Sequence, residues 1–454
     1  MEKTSKVKLN QIRIPAIARV EGHGNILVEV AKGKLKTIHL NIPEGPRLFE
    51  TLVINKTPQE VVNIVPRICA ICSVSHRYAA IRALERALNV KTTKTTLLLR
   101  TLMHCGEMIE SHSLHAFALA LPDFLGYPSA IAMTDKYAPQ VLSALRLKKF
   151  GNYVMEVVTA RYTHGENATV GGFGKAPSSE QLLTIKQQAN ELIPVAEELI
   201  ELMRNLEYPT AMEDGMTFMC LKPPTDKYGF VGDKVLISTG EEQPIERYKE
   251  LCNERVVEHS TAKRCRYNDR PFVVGALARM NLLGERLRGK AADAFKRCYS
   301  LSWIRNPLYA NLAQTIEILY CLEEIDTIID ALIKRIKTLP DETKIIEPSI
   351  KSGKDVGAVE APRGTLYHYY EVNRGIITDA NMIIPTTQNL DAIENHIRVA
   401  AQNLLLNINT KSLASLSEEQ RKKIELIFEM IVRAYDPCIS CSVHLVETQN
   451  KQKT

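Results

Sequence analysis

Two cysteine pairs stand near opposite ends of the chain, each with two residues between its members. The first pair is Cys69 and Cys72, and the second pair is Cys438 and Cys441. This spacing lets both sulfur atoms of a pair point in the same direction. Thiolates are soft ligands that suit zinc and redox-active transition metals. If the chain brings the two pairs together, their four sulfur atoms form a metal site.

The separation of the two pairs bears on the kind of metal they would hold. A structural zinc site usually brackets a loop of about 15–20 residues, whereas Cys438 lies 366 positions after Cys72 (438 − 72). Closing such a loop in an unfolded chain costs roughly 5 kcal/mol by the logarithmic rule, so most of the chain must fold first. The spacing favours a buried active-site metal, while a structural zinc ion and a chance arrangement stay open.

Both pairs adjoin sequence that predicts helix. An alanine- and leucine-rich stretch follows Cys72, and Asp436 with Pro437 directly precedes the second pair. Asp followed by Pro is a favourable N-cap and first-turn combination. We therefore expect Cys438 and Cys441 on the first turn of a short helix, whose N-terminus would lower the pKa of the thiols.

The sequence between the pairs predicts strands near the N-terminus and helices beyond them. Alternating apolar residues predict strands over 25–30 and 35–40, joined by a turn at 31–34. Apolar residues at spacings of three and four predict a helix over 98–119, and another helix is expected over 311–339.

Two capping-box patterns mark further helix starts. Ser178 is followed by Gln181, and Ser417 by Gln420, three positions on. The helix that begins after Ser178 is expected to kink near Pro194. We find no repeat or linker, so the fold class is mainly α (α+β): one large helical-bundle domain over 1–444, with small antiparallel β elements near the N-terminus.

Composition excludes several classes of protein. The chain has 454 residues, of which 45% are hydrophobic and 24% charged, as in ordinary globular proteins. No apolar run reaches the ~20 residues of a membrane span, and the N-terminus lacks the apolar core of a signal peptide. The net charge of +6 is spread along the chain, which argues against nucleic acid as a partner. We expect a cytoplasmic protein with reduced thiols.

The residues around the two pairs resemble the paired signatures of the nickel–iron hydrogenase large subunit. The first block reads R-I-C-x-I-C-x-x-x-H from Arg67 to His76, and the second reads D-P-C-x-x-C-x-x-H from Asp436 to His444. Further blocks in the family's order extend the resemblance over essentially the whole chain: Arg19–His23, Pro46–Glu50, Val274–Arg279, Glu360–Gly364 and Ile384–Asn389.

This resemblance implies a nickel–iron centre on the four cysteines. Cys69 and Cys438 would be terminal nickel ligands, and Cys72 and Cys441 would bridge nickel to iron. The family's iron carries carbon monoxide and cyanide, which no protein residue supplies. The implied activity is reversible heterolytic cleavage of dihydrogen to two protons and two electrons.

Other residues take their expected roles from the same resemblance. Glu21 would carry the proton outward, and Arg363 would lie over the open face of the metals. His76 would hydrogen-bond a bridging sulfur from outside the ligand set. Donors around Pro385 and Thr386 would hydrogen-bond a cyanide.

Three expectations concern the surroundings of the centre. Asp436 is available beside Arg363, whose plainest alternative partner is Glu360 in an ordinary ion pair. Glu50 and His444 match family residues that hold a magnesium, iron or similar ion. The tail after His444, residues 445–454, would be removed by a maturation protease after nickel-insertion factors have acted.

The remaining cysteines are isolated along the chain, so electrons must leave through another polypeptide. The expected partner is the family's iron–sulfur small subunit, with flavin- or NAD(P)-binding and further iron–sulfur subunits beyond it. The wording of the cysteine blocks is most similar to the cytoplasmic NADP-linked hydrogenases, also called sulfhydrogenases, with NADP, sulfur or polysulfide as acceptor. Deazaflavin- or viologen-reactive large subunits and a zinc-stabilised, non-catalytic scaffold are the alternatives.

Overall fold

A computed structural model of the chain describes residues 11–31, 34–407, 413 and 416–443. Helices form the larger part of it. They are α1 Phe49–Leu52, α2 Pro58–Ile64, α3 Ser73–Ala87, α4 Lys94–Ser113, α5 Leu121–Leu125, α6 Thr134–Thr159, α7 Ser179–Arg204, α8 Tyr248–Cys252, α9 Ala276–Leu283, α10 Gly289–Cys298, α11 Ala310–Thr338, α12 Pro385–Asn407 and α13 Glu418–Ala434.

The strands form small antiparallel sheets in the chain order β1-β2-β3, β4-β5, β6-β7-β8, β9-β10 and β11-β12-β13. Their bounds are β1 Gln11–Ile14, β2 Asn25–Ala31, β3 Lys34–Asn41, β4 Ala168–Thr169, β5 Gly172–Phe173, β6 Met219–Lys222, β7 Lys234–Ile237, β8 Glu242–Pro244, β9 Arg255–Val257, β10 Ser260–Arg264, β11 Gly353–Ala361, β12 Gly364–Asn373 and β13 Ile376–Ile383.

Helix α4 lies at the centre of the helical layer, where it packs against α6 and α11, while α11 packs against α7. Side chains on every side of α4 are buried. Apolar residues such as Leu102 and Met108 are enclosed together with polar residues such as Arg100 and Glu107. The sheet β11-β12-β13 packs against α3 through its strands β11 and β12.

The predicted fold class is confirmed, and so are the main helices. The helix expected over 98–119 is α4, which continues as a π-helix from Leu114 to Ala120. Both bonds of the capping box are formed at Ser178 and at Ser417. Helix α7 continues through Pro194 to its end.

The strands near the N-terminus are confirmed, but the largest sheet lies elsewhere. It spans residues 353–383, where alternation gave no signal because β12 is buried on both faces over most of its length. No helix among the described residues combines the length and apolar character that crossing a bilayer requires. His444 and the tail over 445–454 lie outside the described residues.

Candidate metal centre

The first cysteine pair lies where a short helix ends and a long helix begins. Cys69 follows the 3-10 helix Val65–Ile68 in an extended conformation, and Cys72 is the N-cap of α3. The backbone N–H of Cys72 donates to the Sγ of Cys69 at 3.2 Å, so this turn holds the two cysteines together. Between them, Ala70 is exposed, and the pair therefore lies one loop beneath the surface.

The second pair differs from its prediction. Cys438 lies beside Glu21 in an isolated parallel bridge, and only Cys441 belongs to a helical turn, the 3-10 helix Ser440–Ser442. Asp436 has a left-handed φ of 48°, and its carboxylate binds Arg363 rather than a helix N-terminus. The expectation of one first turn carrying both cysteines was therefore wrong, because a long-range ion pair uses the capping side chain.

Folding brings the two pairs together as the spacing required. The ligand atoms of Cys69, Cys72, Cys438 and Cys441 all lie within 4.8 Å of one another. The Sγ atoms of Cys69 and Cys438 are 3.5 Å apart, and all four cysteines are free thiols that are buried. Four soft ligands at these separations form a site for a thiophilic metal.

Electrostatics within this group favour a bound cation. Hydrogen bonds from the neighbouring thiols, with the charge of Arg363, hold the pKa of Cys69 well below its usual range. Hydrogen bonding to Cys441 and Cys69 raises the pKa of Cys438, because a second thiolate beside the first is unfavourable. All four can ionise together only when positive charge enters the pocket, as metal binding supplies.

Arg363 is the fixed cation of this pocket. Its Nε donates to the backbone oxygen of Asp436 at 2.6 Å and its Nη2 to the carboxylate at 2.8 Å. The alternative ion pair with Glu360 was wrong, because Glu360 binds Arg279. Arg363 Nη1 is buried and has no hydrogen-bond partner within the described part of the chain. It is thus a free donor beside the thiols.

Glu21 lies against the loop of the second cysteine pair. Its backbone oxygen accepts from the N–H of Ile439 at 3.0 Å, and its carboxylate accepts from the N–H and the hydroxyl of Ser440. The next residue must be glycine, because a Cβ on Gly22 would lie 2.8 Å from the Cβ of Ile439. Glu21 is half-buried, so it contacts both the loop of the second cysteine pair and solvent.

The block around Pro385 also reaches the centre. Pro385 begins α12, and the hydroxyl of Thr386 accepts from the backbone N–H of Cys438 at 2.9 Å. His76 is buried on α3, where its Nδ1 lies 3.1 Å from Nε2 of His368. The hydrogen bond from His76 to a bridging sulfur stays a prediction.

Glu50 lies at the C-terminal end of β13. Its carboxylate accepts from the backbone N–H of Met382 at 3.1 Å. The oxygen of Val443, the last described residue, accepts from the N–H of Arg47 at 3.0 Å. Arg47 is three positions before Glu50, so the segment that ends at Val443 lies near this part of the chain.

Sequence reasoning missed Glu107, a fully buried carboxylate on α4. It accepts from the backbone N–H groups of Val74 and Ser75 and from the Ser75 hydroxyl, all in the first turn of α3. Burial raises the pKa of Glu107 to about 8, although these hydrogen bonds oppose the rise. The sequence pattern gave no signal of this burial, because Glu107 lies on the side of α4 away from the apolar residues that predicted the helix.

The residues present fit a metal centre of the expected kind. The pocket offers four thiols, one fixed guanidinium and one unpartnered N–H donor, and it lies under a single surface loop. This donor set suits a soft transition metal that also carries ligands able to accept from Arg363.

Comparison with known proteins gives the class of this protein. The sequence profile of the nickel-dependent hydrogenases matches residues 47–147 and 228–444. The chain belongs to the nickel-dependent hydrogenase family, in which it is a large, or alpha, subunit.

Two relatives and one solved structure define the likeness more closely. The chain is 39% identical to the sulfhydrogenase 1 alpha subunit of Pyrococcus furiosus, over 96% of this chain and 98% of the relative. It is 37% identical to the sulfhydrogenase 2 alpha subunit of the same organism, over 96% and 99%. An NAD+-reducing [NiFe]-hydrogenase in its H2-reduced state superposes with a TM-score of 0.85 and 26% identity, covering 96% of this chain and 99% of that one.

Proposed function

We propose that this chain is the catalytic subunit of a nickel–iron hydrogenase that cleaves dihydrogen reversibly into two protons and two electrons. The observation that carries the proposal is the group of four buried thiols within 4.8 Å of one another. They lie beside a buried guanidinium, in a chain that belongs to the nickel-dependent hydrogenases.

The four cysteines would hold the metals, with Cys69 and Cys438 on nickel and Cys72 and Cys441 between nickel and iron. Carbon monoxide and cyanide on the iron complete the proposed centre. A metal pair held by these four cysteines would supply the Lewis acidity that dihydrogen, otherwise barely acidic, needs for heterolytic cleavage, and would take up its electrons.

Glu21 carries the proton away from the thiols in this proposal. Its carboxylate contacts Ser440, between the two cysteines of the second pair, and is itself half-buried. A carboxylate so placed can take a proton from the buried side and release it toward water. The Ser440 hydroxyl and N–H keep its orientation fixed.

Arg363 would orient dihydrogen as it enters the open face of the centre. Asp436 holds two of its nitrogens, which leaves Nη1 free to donate to a diatomic ligand on the iron. Thr386 and the backbone at the start of α12 would donate to another such ligand. His76 would support a bridging sulfur from outside the ligand set.

We propose that Glu50 and His444 hold a magnesium or iron ion behind the centre. The support is the approach of Val443 to Arg47, close in sequence to Glu50. Removal of residues 445–454 after His444 by a maturation protease is part of the same proposal, since the new C-terminus would then stay next to this ion.

An iron–sulfur small subunit is the proposed electron partner. The first cysteine pair adjoins the surface, since Arg67 before it and Ala70 within it are exposed and Ile71 is half-buried. Flavin- or NAD(P)-binding subunits would follow, with NADP, or sulfur, as final acceptor. The names of the relatives, sulfhydrogenase alpha subunits, support further subunits and sulfur as a candidate acceptor. Location in the cytoplasm stays a prediction.

Infrared spectroscopy of the chain purified with its native partners tests the proposal directly. Bands of metal-bound carbon monoxide and cyanide are expected, with one nickel for each copy of this chain. Stoichiometric zinc without such bands would instead identify a structural metal site. Exchange of deuterium gas with water then measures heterolytic cleavage without any electron acceptor.

A further inference from the structure

Arg363 lies at the tip of a β-hairpin. Strands β11 and β12 pair up to Ala361 and Gly364, so the turn consists of Pro362 and Arg363 alone. Turn residues make no ladder hydrogen bonds of their own with the partner strand. The backbone that carries the Arg363 guanidinium therefore needs another support.

Arg279 on α9 supplies contacts to this turn. Its Nη1 donates to the backbone oxygen of Ala361 at 3.1 Å, and its Nη2 donates to that of Pro362 at 3.2 Å. These are the two carbonyl groups that directly precede Arg363. A planar guanidinium can hold two successive carbonyls in this way, whereas the ammonium group of lysine is a point charge.

Two buried carboxylates hold Arg279 itself. Nε and Nη2 donate to the two oxygens of Glu317, each at 2.6 Å, and Nη1 donates to Glu360 at 2.9 Å. All three side chains are fully buried. The charge of Arg279 lowers the pKa of Glu317 to about 2, although burial alone would raise it. With both carbonyl contacts, every N–H of this guanidinium has a partner.

The turn also packs directly against the residues that lead into α9. Gly275 has a φ of 108°, and a Cβ there would lie 3.0 Å from the backbone oxygen of Arg363. Gly364 has a φ of 135°, and a Cβ there would lie 2.3 Å from a side-chain carbon of Val274. The start of α9 and the hairpin tip thus form one rigid contact.

We propose that Arg279 is a positioning residue for the proposed reaction, which holds Arg363 over the four thiols by anchoring the two carbonyls before it. This inference rests on the proposed function of Arg363. Arg279 uses its N–H groups on two carboxylates and two carbonyls and on none of the four cysteines, so its effect on catalysis must pass through the hairpin.

A double-mutant cycle tests this dependence. Arg279→Lys, Arg363→Lys and the double variant are purified with their native partners, and turnover is measured per bound nickel. Arg279→Lys is expected to lower turnover roughly ten- to a hundredfold, as small displacements of a reacting group do. Turnover of the double variant should equal that of Arg363→Lys alone. Once Arg363 has been replaced, loss of its anchor can cause no further decrease. Infrared bands of carbon monoxide and cyanide should shift in Arg279→Lys as they do in Arg363→Lys.

Arg100→Lys is the matched control. Arg100 is also buried, also forms a two-bond pair with a glutamate, Glu85, and also donates to a backbone oxygen. It lies on α4, at the end remote from the hairpin. Its variant should lose stability while turnover per nickel and the infrared bands stay those of the unaltered protein.

The outcomes separate this inference from the proposed function. Absence of carbon monoxide and cyanide bands in the unaltered protein overturns the proposed function. The role of Arg279 is overturned, while the proposed function stands, if Arg279→Lys shows normal bands and unchanged turnover. The same conclusion follows if the losses of the two single variants multiply in the double variant.

A milder variant decides the question if Arg279→Lys takes up no nickel. Glu360→Gln keeps the shape of the partner of Nη1 but removes its charge. It should lower turnover per nickel by a smaller factor in the same direction, with no further loss on combination with Arg363→Lys. A loss that adds to that of Arg363→Lys would overturn the proposal.

Discussion

Arg363 and Asp436 are joined by two hydrogen bonds, one to the backbone oxygen at 2.6 Å and one to the carboxylate at 2.8 Å. Asp436 is two positions before Cys438, so the pair ties the guanidinium to the loop that carries a metal ligand. A change in this loop is therefore expected to move the Arg363 guanidinium.

Lysine at position 363 should keep the metals and lower the rate. Arg363→Lys retains a positive charge near the thiols but loses the planar guanidinium. In the unaltered protein, that group binds Asp436 through two nitrogens while its Nη1 remains available as a donor. We expect nickel and iron contents close to those of the unaltered protein and turnover per nickel lower by roughly 100-fold or more. Metal analysis and hydrogen-uptake rates on one preparation decide this, and unchanged kinetics would count against the placement of Arg363.

Replacing one bridging ligand should prevent assembly of the centre. Cys441→Ser exchanges a soft thiolate for a hard hydroxyl that stays protonated, so iron and nickel lose a shared ligand. Nickel content and the infrared bands of carbon monoxide and cyanide are the measurement, and both should fall strongly. Cys298→Ser is the control, since Cys298 is buried away from the four thiols. Full occupancy with normal activity in Cys441→Ser would refute the bridging role.

Neutralising Glu21 should slow proton transfer without loss of the metals. Glu21→Gln can still accept from Ser440 but can no longer take up a proton. Deuterium-gas exchange with water should fall by roughly 100-fold or more, with infrared bands retained. Glu44→Gln is a nearby control, because the Glu44 carboxylate accepts from His23 rather than from the loop of the second cysteine pair. Undiminished exchange in Glu21→Gln would exclude it as the proton carrier.

Glu107 should make the stability of the metal-free chain depend on pH. Burial raises the pKa of Glu107 from 4.5 to about 8 in the folded chain. Folding therefore favours the protonated carboxyl, so its contribution is fully present below about pH 4.5 and is lost as the pH rises to about 8. Relative to the unaltered chain, Glu107→Gln should gain up to a few kcal/mol between pH 5 and pH 9.

Thermal unfolding of the metal-free chain across this pH range measures the effect. The exposed Glu191 offers a control, and Glu191→Gln should follow the pH profile of the unaltered chain. Parallel profiles for Glu107→Gln and the unaltered chain would show that Glu107 is ionised in the fold across the whole range.

Much of the helical part of the fold could be predicted from local pattern. The capping boxes at Ser178 and Ser417 form as expected because each depends on residues only three positions apart. The sheet over 353–383 could not be predicted in this way. Its central strand is buried on both faces, so its side chains do not alternate between apolar and polar.

The sequence by itself determined the four thiols and the family, because ligand chemistry depends on residue type and the blocks around them are specific. Only the tertiary structure decided which charges meet. Arg363 binds Asp436 rather than Glu360, and Glu360 binds Arg279. Side chains that lie close in sequence were the natural guess. In a buried site, however, each charge must find its partner across elements, since desolvation makes an unpaired charge too costly.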